Sequence, residues 1–274
     1  MKNLSVRTCT LALPLIIAAN LGLANAAESS AYQHEISIGA LAHSDEWSDE
    51  VWAVDYTYYL APVKIRNRPY ALYDFFHQDS KLNAAYSSYD GNNGYGIGGR
   101  YALANNWYVD AAYSRGSTDQ TDNNSWLIGG GYFLNATTEI YSNYARSNLS
   151  FDGDSFNQDG DLTNDSFTIG AKSFLEVNIT KGIMLEANYV RQMYDSKLDN
   201  DSDNIFNVAA DWYLTNSWSV GLEHIRDSDD NYTQIGTAYS YRFANNFYFT
   251  GEVTRAIDSD ASGVVAGLTL TGRF

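Results

Sequence analysis

The sequence is poor in cysteine, proline, methionine and basic residues, and it has no long apolar run beyond its first 26 residues. Its 274 residues include one cysteine, Cys9, with 3 Pro and 3 Met. No later apolar run reaches the roughly 18 residues that a transmembrane helix needs, and mean hydropathy is −0.34. These features exclude a helical membrane protein. The 17 basic residues face 33 acidic ones, a net charge of −16, which opposes nucleic-acid binding.

Aromatic residues and glycine are abundant instead, with 22 Tyr, 6 Trp and 21 Gly. This composition favours β-strands. The final segment, 261–274, alternates apolar and polar residues with the period of a strand and stops on Phe274. Outer-membrane barrels of Gram-negative bacteria end their closing strand in this way. We therefore expect Phe274 to be the C-terminal signal that the outer-membrane barrel assembly machinery recognises.

Residues 1–26 have the pattern of a signal peptide. Lys2 and Arg7 precede an apolar stretch at 11–23, and Ala24-Asn25-Ala26 supplies a small-x-small cleavage site. The sequence thus predicts export through the periplasm and a mature domain at 27–274. Cleavage would remove Cys9 and leave a mature chain without a thiol.

The remaining chain repeats one unit: a strand, a short turn, a second strand and a longer acidic loop. Short turns are predicted at 104–106, 135–137, 215–217 and 244–246, and three of them carry Asn before an aromatic residue. Asn tolerates the left-handed backbone of tight hairpins. Polar stretches between them lie at 43–50, 116–124, 148–164, 194–203, 227–231 and 257–262. Short turns at one end and long loops at the other are typical of outer-membrane barrels.

This pattern predicts an all-β fold, a closed antiparallel transmembrane β-barrel of fourteen strands. Twelve or sixteen strands are the alternatives, because 64–90 can be divided in more than one way. An even count places both termini at the periplasmic end. The predicted strands are 32–42, 51–60, 72–89, 94–103, 106–115, 125–134, 137–147, 165–175, 182–193, 203–214, 217–226, 231–243, 246–256 and 261–274.

One face of these strands is apolar and rich in aromatic residues near the strand ends, as at Trp52, Trp107, Tyr113, Trp212 and Trp218. Such rings form girdles at the two lipid–water boundaries of a barrel. A soluble β-sandwich is the alternative. It would not require a strand in nearly every twenty residues up to the last one.

The opposite face carries charges in mid-strand. A midplane Arg or Lys facing hydrocarbon costs about 2–4 kcal/mol, so these residues predict a water-filled lumen and argue against a plugged interior. Eight acids against five bases predict a weak cation preference, although cross-strand ion pairs would account for some of them. The predicted lumen-lining residues are Glu35, Asp55, Lys81, Arg100, Asp110, Glu139, Lys172, Glu186, Asp211, Glu223, Arg242, Glu252 and Arg273.

The segments 58–63 (YYLAPV) and 68–71 (RPYA) resemble the second-strand and turn region of the general bacterial porin-like family of Gram-negative outer membranes. In that family an aromatic pair precedes a Pro-Val turn, and a Pro-Ala element opens the next strand. The resemblance implies a general diffusion channel and specifies no solute.

Catalytic and metal-binding interpretations find little support. The histidines are His34, His43, His77 and His224, and no spacing joins one of them to a nucleophile. The acidic stretches 152–154 and 199–203 lack the glycine and late Glu of a calcium loop. They are interpreted as solvated loops, with loose divalent-cation binding as the alternative. The basic turn at Lys64, Arg66 and Arg68 is likewise interpreted as solvated, with an anion site as the alternative. We expect no enzyme activity, cofactor or structural metal.

The sequence therefore predicts an outer-membrane porin, a passive channel for small hydrophilic solutes. Its other expected contacts are outer-membrane lipid and lipopolysaccharide, and both a monomer and a trimer fit. A sugar- or oligosaccharide-selective channel is one alternative, with Tyr59, Tyr108 and Tyr213 stacking on sugar rings. A surface or adhesion barrel that conducts nothing is the other.

Overall fold

The structure, a computed structural model, is a closed antiparallel β-barrel of fourteen strands, which confirms the predicted fold. It describes residues 31–274 except 45, 65–66, 90–91, 119–120, 152–159, 197–199, 229–230, 245 and 258–262, so the predicted signal peptide lies outside the described residues. The strands are β1 (Tyr32–His43), β2 (Glu46–Val63), β3 (Lys81–Tyr89), β4 (Asn92–Ala102), β5 (Trp107–Ser117), β6 (Thr121–Asn135), β7 (Thr138–Phe151), β8 (Gly160–Leu175), β9 (Gly182–Ser196), β10 (Asn200–Tyr213), β11 (Trp218–Arg226), β12 (Asn231–Ala244), β13 (Phe247–Ala256) and β14 (Val264–Arg273).

Each strand pairs with its sequence neighbours, and β14 pairs with β1 to close the ring, for example Glu35 opposite Arg273 and Ile38 opposite Leu270. The start of β1 and the end of β14 therefore share one end of the barrel, here called the turn end. The connections after the even-numbered strands β2 to β12 lie at this end. The opposite end, the loop end, carries the connections after the odd-numbered strands.

The four predicted short turns all join neighbouring strands at the turn end. Asn105 and Asn106 adopt φ values of 65° and 66°. Asn is the non-glycine residue that tolerates this left-handed backbone best, because its short polar side chain bonds locally. The prediction that Asn marks the hairpin turns is confirmed at this site.

The barrel wall alternates as the period of a strand requires. Outward side chains are apolar and exposed, as in Ile97 (64%), Tyr101 (58%) and Val208 (58%). In this fold such exposure is the arrangement expected for a lipid-facing surface. No helix among the described residues has the length and apolar character needed to cross a membrane.

Strands reach further at the loop end than the sequence predicted. The ladder between β7 and β8 extends to Phe151 opposite Gly160, and that between β9 and β10 to Asp195 opposite Asn200. The predicted loops at 148–164 and 194–203 are therefore partly hairpin. Their Asp, Asn and Ser residues suggest loops, but ladder hydrogen bonds are made by the backbone and need no apolar side chain.

The clearest correction concerns the connection between β2 and β3. A strand was predicted at 72–89, but β3 begins at Lys81, and the residues before it form a 3₁₀ turn at Tyr70–Leu72 and a short helix, α1, at Tyr73–Phe76. We call residues 67–80 the plug, because they cross the barrel interior at the turn end. The prediction that the interior is unplugged is wrong at this end.

The plug is held on one side of the barrel by a cluster of apolar side chains. Leu72 packs against Phe174 of β8, Met184 of β9 and Tyr213 of β10, all of them buried. The ring of Phe76 meets that of Phe174 edge to face, with centroids 5.2 Å apart.

On another side of the barrel, Tyr73 and Tyr70 pack against Tyr248 of β13. The plug thus contacts separate parts of the wall and bridges the lumen at the turn end.

Candidate functional site: the barrel lumen

Strand alternation puts the thirteen predicted lumen charges on the faces opposite the exposed apolar side chains. Glu35, for example, alternates with the outward Ile36 (41% exposed) and Ile38 (50%). Lys81 lies opposite Arg100, and Glu139 opposite Lys172, in neighbouring strands. The strand period is kept along most of the wall, and register shifts interrupt it near strand ends in β1, β6 and β12.

The most buried of these charges is Arg273, which is 2% exposed. Its Nε donates to Oε2 of Glu35 at 2.5 Å, across the seam where the barrel closes. Its guanidinium also lies over three tyrosine rings, at 5.1 Å from Tyr32, 5.3 Å from Tyr73 of the plug and 4.9 Å from Tyr248. Such cation–π contacts stabilise a guanidinium that has lost its water. Arg273 therefore joins the seam to the plug.

A second group surrounds Arg100. Its Nε and a terminal nitrogen donate to the two carboxylate oxygens of Asp110 at 2.9 and 3.1 Å, and Glu139 lies 3.8 Å away. The guanidinium also lies 3.8 Å from the ring centroid of Tyr108. One base thus balances two acids, which leaves this group net negative.

Two further ion pairs lie inside the barrel. Lys172 lies 3.1 Å from Glu186, which also accepts a hydrogen bond from Tyr141 at 2.7 Å. Lys81 donates to Asp74, a plug residue. Burial raises the pKa of Asp74, but the nearby Lys81 ammonium lowers it by more, so that its pKa lies below the usual range.

Four inward acids have no base within ion-pair distance in the described part of the chain: Asp55, Asp211, Glu223 and Glu252. Glu223 accepts hydrogen bonds from Asn207 at 2.5 Å and from Gln234, both neutral amides. All four are partly exposed on the inward face. They give the lumen a negative surplus.

The three tyrosines expected to stack on sugar rings are not available to a solute. Tyr59 and Tyr108 are each 2% exposed, and Tyr213 is 6% exposed. They lie at the turn end, where the plug and neighbouring side chains cover them, as the edge-to-face contact of Tyr59 with His77 at 5.4 Å shows. The stacking hypothesis is wrong for these residues, because the plug and the neighbouring side chains bury their rings.

Polar contacts also fix the plug to the turns at its end of the barrel. Arg68 pairs with Glu176 and lies 4.9 Å over the ring of Phe76. Asn67 accepts hydrogen bonds from Lys181 at 3.0 Å and from Asn216 at 2.9 Å. Arg68 was interpreted as part of a solvated basic turn and instead anchors the plug. Lys64 is exposed, and residue 66 lies outside the described residues.

His77 ends the helical part of the plug. Its Nδ1 lies 3.5 Å from Oδ2 of Asp79. Burial lowers the pKa of His77, and the charges of Asp79 and Asp74 oppose that shift only in part. This imidazole is therefore more easily kept neutral than an exposed one.

His34 and His224 contact hydroxyl groups on neighbouring strands. His34 lies beside the Tyr56 hydroxyl at 2.8 Å, and His224 beside the Thr233 hydroxyl at 3.0 Å. Among the residues that the structure describes, no three His, Cys, Asp or Glu side chains converge in a way that could hold a metal. The acidic stretch 152–154 lies outside that part of the chain.

The family is shown by the sequence. Residues 1–139 match the model of the family described as "Putative general bacterial porin". The chain belongs to this porin family. No curated protein matches the porin's sequence.

Solved structures resemble the porin in fold. The Acinetobacter baumannii outer membrane protein Omp33 matches with a TM-score of 0.59 at 18% identity, covering 89% of this chain and 99% of that one. The KdgM porin in complex with disordered oligogalacturonate matches with a TM-score of 0.44 at 9% identity, covering 88% and 99%. The family and the barrel fold point to the outer membrane of a Gram-negative bacterium and to a channel role.

The plug is the structural element of the lumen that the sequence interpretation missed. The sequence contained an indication of this departure from a strand. After Pro69, the large apolar residues Tyr70, Leu72 and Tyr73 are spaced more closely than the strict alternation of a strand allows. Aromatic residues also favour strands, and that preference led to the wrong assignment.

Proposed function

We propose that the porin lets small hydrophilic solutes diffuse passively through its lumen, with a weak preference for cations and without enzyme activity. The observation that carries this proposal is the uneven pairing of inward charges. Four of the five inward bases lie in ion pairs with acids: Lys81, Arg100, Lys172 and Arg273. The four acids without a base partner outnumber the fifth inward base, Arg242, so the inward face keeps a net negative charge.

The distribution of these carboxylates favours a general attraction of cations over the tight binding of a single cation. Asp55, Asp211, Glu223 and Glu252 lie on separate strands, β2, β10, β11 and β13. Carboxylates distributed around a water-filled passage raise the local concentration of cations without chelating one. The effect is strongest at low salt, since the Debye length is about 10 Å at 0.1 M and about 3 Å at 1 M.

The plug sets the narrowest part of this passage. Its contacts with separate parts of the wall leave the turn end far more tightly packed than the loop end. A solute that enters from the loop end therefore passes the plug last. Leu72 and Tyr73 hold the plug by apolar contacts, whereas Arg68 and Asp74 hold it by ion pairs.

The decisive experiment is single-channel recording in planar bilayers, with the reversal potential measured in a potassium chloride gradient. We expect the wild type to be mildly cation-selective. The variant D55N/D211N/E223Q/E252Q is expected to move the reversal potential towards zero. The control D161N/D201N removes two acids from the loop-end hairpins and tests, per charge removed, whether the lumen or the outer mouth dominates.

Three outcomes would refute parts of the proposal. Anion selectivity, or an unchanged reversal potential in the fourfold variant, would reject the charge argument and leave the channel. A larger effect of the control than of the fourfold variant would move selectivity to the loops. A protein that never produces stable conductance would reject the channel and favour the surface or adhesion barrel.

Two expectations about biogenesis belong to the same proposal. We expect export to be followed by cleavage after Ala26, so that N-terminal sequencing of the outer-membrane form begins at residue 27. The C-terminal Phe274 is half exposed, and its ring meets that of Phe247 edge to face at 5.5 Å. We propose that the barrel assembly machinery recognises this terminal strand.

A further inference from the structure

Five arginines project outward near the loop end, from every second strand over most of the barrel. They are Arg115 on β5, Arg146 on β7, Arg191 on β9, Arg226 on β11 and Arg255 on β13. Each lies on the face of its strand that carries exposed apolar residues, such as Tyr113 on β5, Leu222 on β11 and Val253 on β13. We call these five residues the arginine belt.

The belt lies at one level of the barrel. Each arginine is the ninth residue of its strand counted from the turn end, or the tenth in β9. Eight residues rise about 27 Å along a strand, and a tilt of about 40° reduces this to about 20 Å along the barrel axis. The apolar band of an outer-membrane barrel is about 25 Å tall. The belt therefore lies near the outer edge of the membrane.

A row of tyrosines marks the same boundary. Tyr113, Tyr144 and Tyr189 precede their arginines by two residues on β5, β7 and β9, which gives a repeated Tyr-Xaa-Arg pattern. Their hydroxyls donate to polar side chains of the next strand, including Asn124 at 3.0 Å and Asn204 at 2.6 Å. Hydroxyls engaged this way belong at the lipid–water interface.

Not all belt arginines are equally available. Arg146 is bound by Asp165 at 2.7 Å, and Arg115 lies 3.5 Å from Asp122. For Arg191, Arg226 and Arg255, no ion pair with an acid exists within the described part of the chain. All three side chains are exposed, and a porin with net charge −16 presents few such sites.

A recess beside Arg226 supplies the shape of a binding site. It has a volume of about 650 Å³ and lies on the outward face between β10 and β11. Phe206 and Val208 form its apolar part, and polar groups border it towards the loop end. The recess is lined by Asn204, Phe206, Val208, His224, Arg226, Asp227 and Ser228. Asp227 is the one acid among them, and it has an interaction of its own.

A second cation lies close to this recess. Arg191 pairs with Asn204 on one side of β10, and Arg226 pairs with Phe206 on the other. Two strand spacings and two residues along the strand separate the two α-carbons by about 12 Å. Two arginines whose α-carbons lie at this spacing, beside an apolar recess, suit an amphiphile with more than one anionic head group.

We infer that the arginine belt binds the phosphate groups of an outer-leaflet phosphorylated glycolipid, with Arg191 and Arg226 forming the principal site. Guanidinium groups bind phosphate through paired hydrogen bonds, and a lipid is the partner that reaches an outward barrel face. The acyl chains would pack along Phe206 and Val208 while the phosphates meet the arginines. This inference goes beyond the conduction of solutes and is independent of charge selectivity.

The test uses the full porin purified in detergent and titrated with bisphosphoryl lipid A, followed by native mass spectrometry. The variant R191Q/R226Q should bind at least about tenfold more weakly, since each charge-assisted contact contributes more than a neutral one. The charge-matched control K64Q/K181Q, at the turn end, should bind as the wild type does. R191K/R226K should fall between them, because lysine keeps the charge and loses the paired geometry.

Parallel titrations identify the ligand. Monophosphoryl lipid A should bind more weakly than the bisphosphoryl form, and inorganic phosphate at the same concentration should neither bind nor displace the lipid. Equal binding of the two lipid A forms, displacement by free phosphate, or equal loss in R191Q/R226Q and K64Q/K181Q would overturn the inference. Single-channel conductance of R191Q/R226Q should match the wild type, so failure here and failure of the channel proposal remain distinguishable.

Discussion

The two ends of this barrel are built on different physical principles. Among the residues that the structure describes, every buried side chain lies in the plug or within five residues of the turn end of its strand, as Tyr59, Tyr248 and Arg273 show. Side chains at the loop end are at least partly exposed, and Arg115 of the ion pair there is 58% exposed. The turn end thus resembles the core of a soluble domain inside a membrane barrel, whereas the loop end is a hydrated wall.

This difference indicates that the turn end contributes most to the stability of the barrel and to the control of conductance. Buried apolar clusters and desolvated ion pairs at the turn end resist disruption, because breaking them leaves unpaired groups out of water. Exposed pairs at the loop end contribute about 0–1 kcal/mol each. Substitutions of the same chemical kind should therefore have unequal effects at the two ends.

The largest effect is expected at the seam. Arg273→Met leaves the carboxylate of Glu35 buried without its partner, and it should lower the free energy of unfolding by about 3–5 kcal/mol. Urea unfolding of the porin in lipid vesicles measures this change. The loop-end counterpart Arg115→Met should cost less than about 1 kcal/mol. Equal costs for the two variants would show that the ends do not differ in this way.

A smaller effect is expected within the plug. Leu72→Ala removes methyl groups from the cluster with Phe174, Met184 and Tyr213, and it should weaken plug docking by about 2–3 kcal/mol. The loosened plug should raise mean conductance and expose residues 67–80 to proteolysis from the turn end. Leu149→Ala, in the loop-end hairpin opposite Leu162, is the matched control. If that control raised conductance as much, the plug would not be the constriction.

The smallest effect concerns pH. Burial lowers the pKa of His77 below its ordinary value of 6.5, so a released plug binds a proton more readily than a docked one. Docking is therefore unaffected above pH 6.5 and weakens as pH falls towards the lowered pKa, by at most about 1.4 kcal/mol per pH unit. Conductance should rise between pH 7 and pH 5.

His77→Gln serves as the control for this pH effect, and it should flatten the response between pH 7 and pH 5. Asp74, Asp79 and Lys81 also face this group, and Asp74 keeps its charge over that range because its pKa is lowered. A rise in conductance of the same size in His77→Gln would assign the response to another group.

The wall of the barrel could be predicted from the sequence because its rules are local. Strand alternation placed Glu35, Asp110 and Glu223 on the inward face, and Asn105 marked a turn that needs left-handed backbone. These features depend on the residues themselves and on their immediate neighbours. The inward placement of Arg242, in the irregular end of β12, followed from the same alternation.

The plug and the ion-pair partners could not be predicted in the same way, because they depend on contacts between distant parts of the chain. Leu72 is buried only because β8, β9 and β10 meet the plug at the turn end. Glu35 meets Arg273 only after the ring has closed. The arginine belt was detectable, since the Tyr-Xaa-Arg pattern repeats on β5, β7 and β9, but its common level follows from the strand bounds.

The closing seam has a consequence for how the molecule folds. The hydrogen bond between Arg273 and Glu35 joins residues 238 positions apart, and the carbonyl of Phe274 accepts from the backbone of Gln33 and His34. Contacts of such long range form slowly, because loop entropy must be overcome before they stabilise the chain. Until β14 reaches β1, both strands present open edges that can pair with other chains. The chain is thus most prone to aggregation in the interval before closure, which lasts until the final strand is complete.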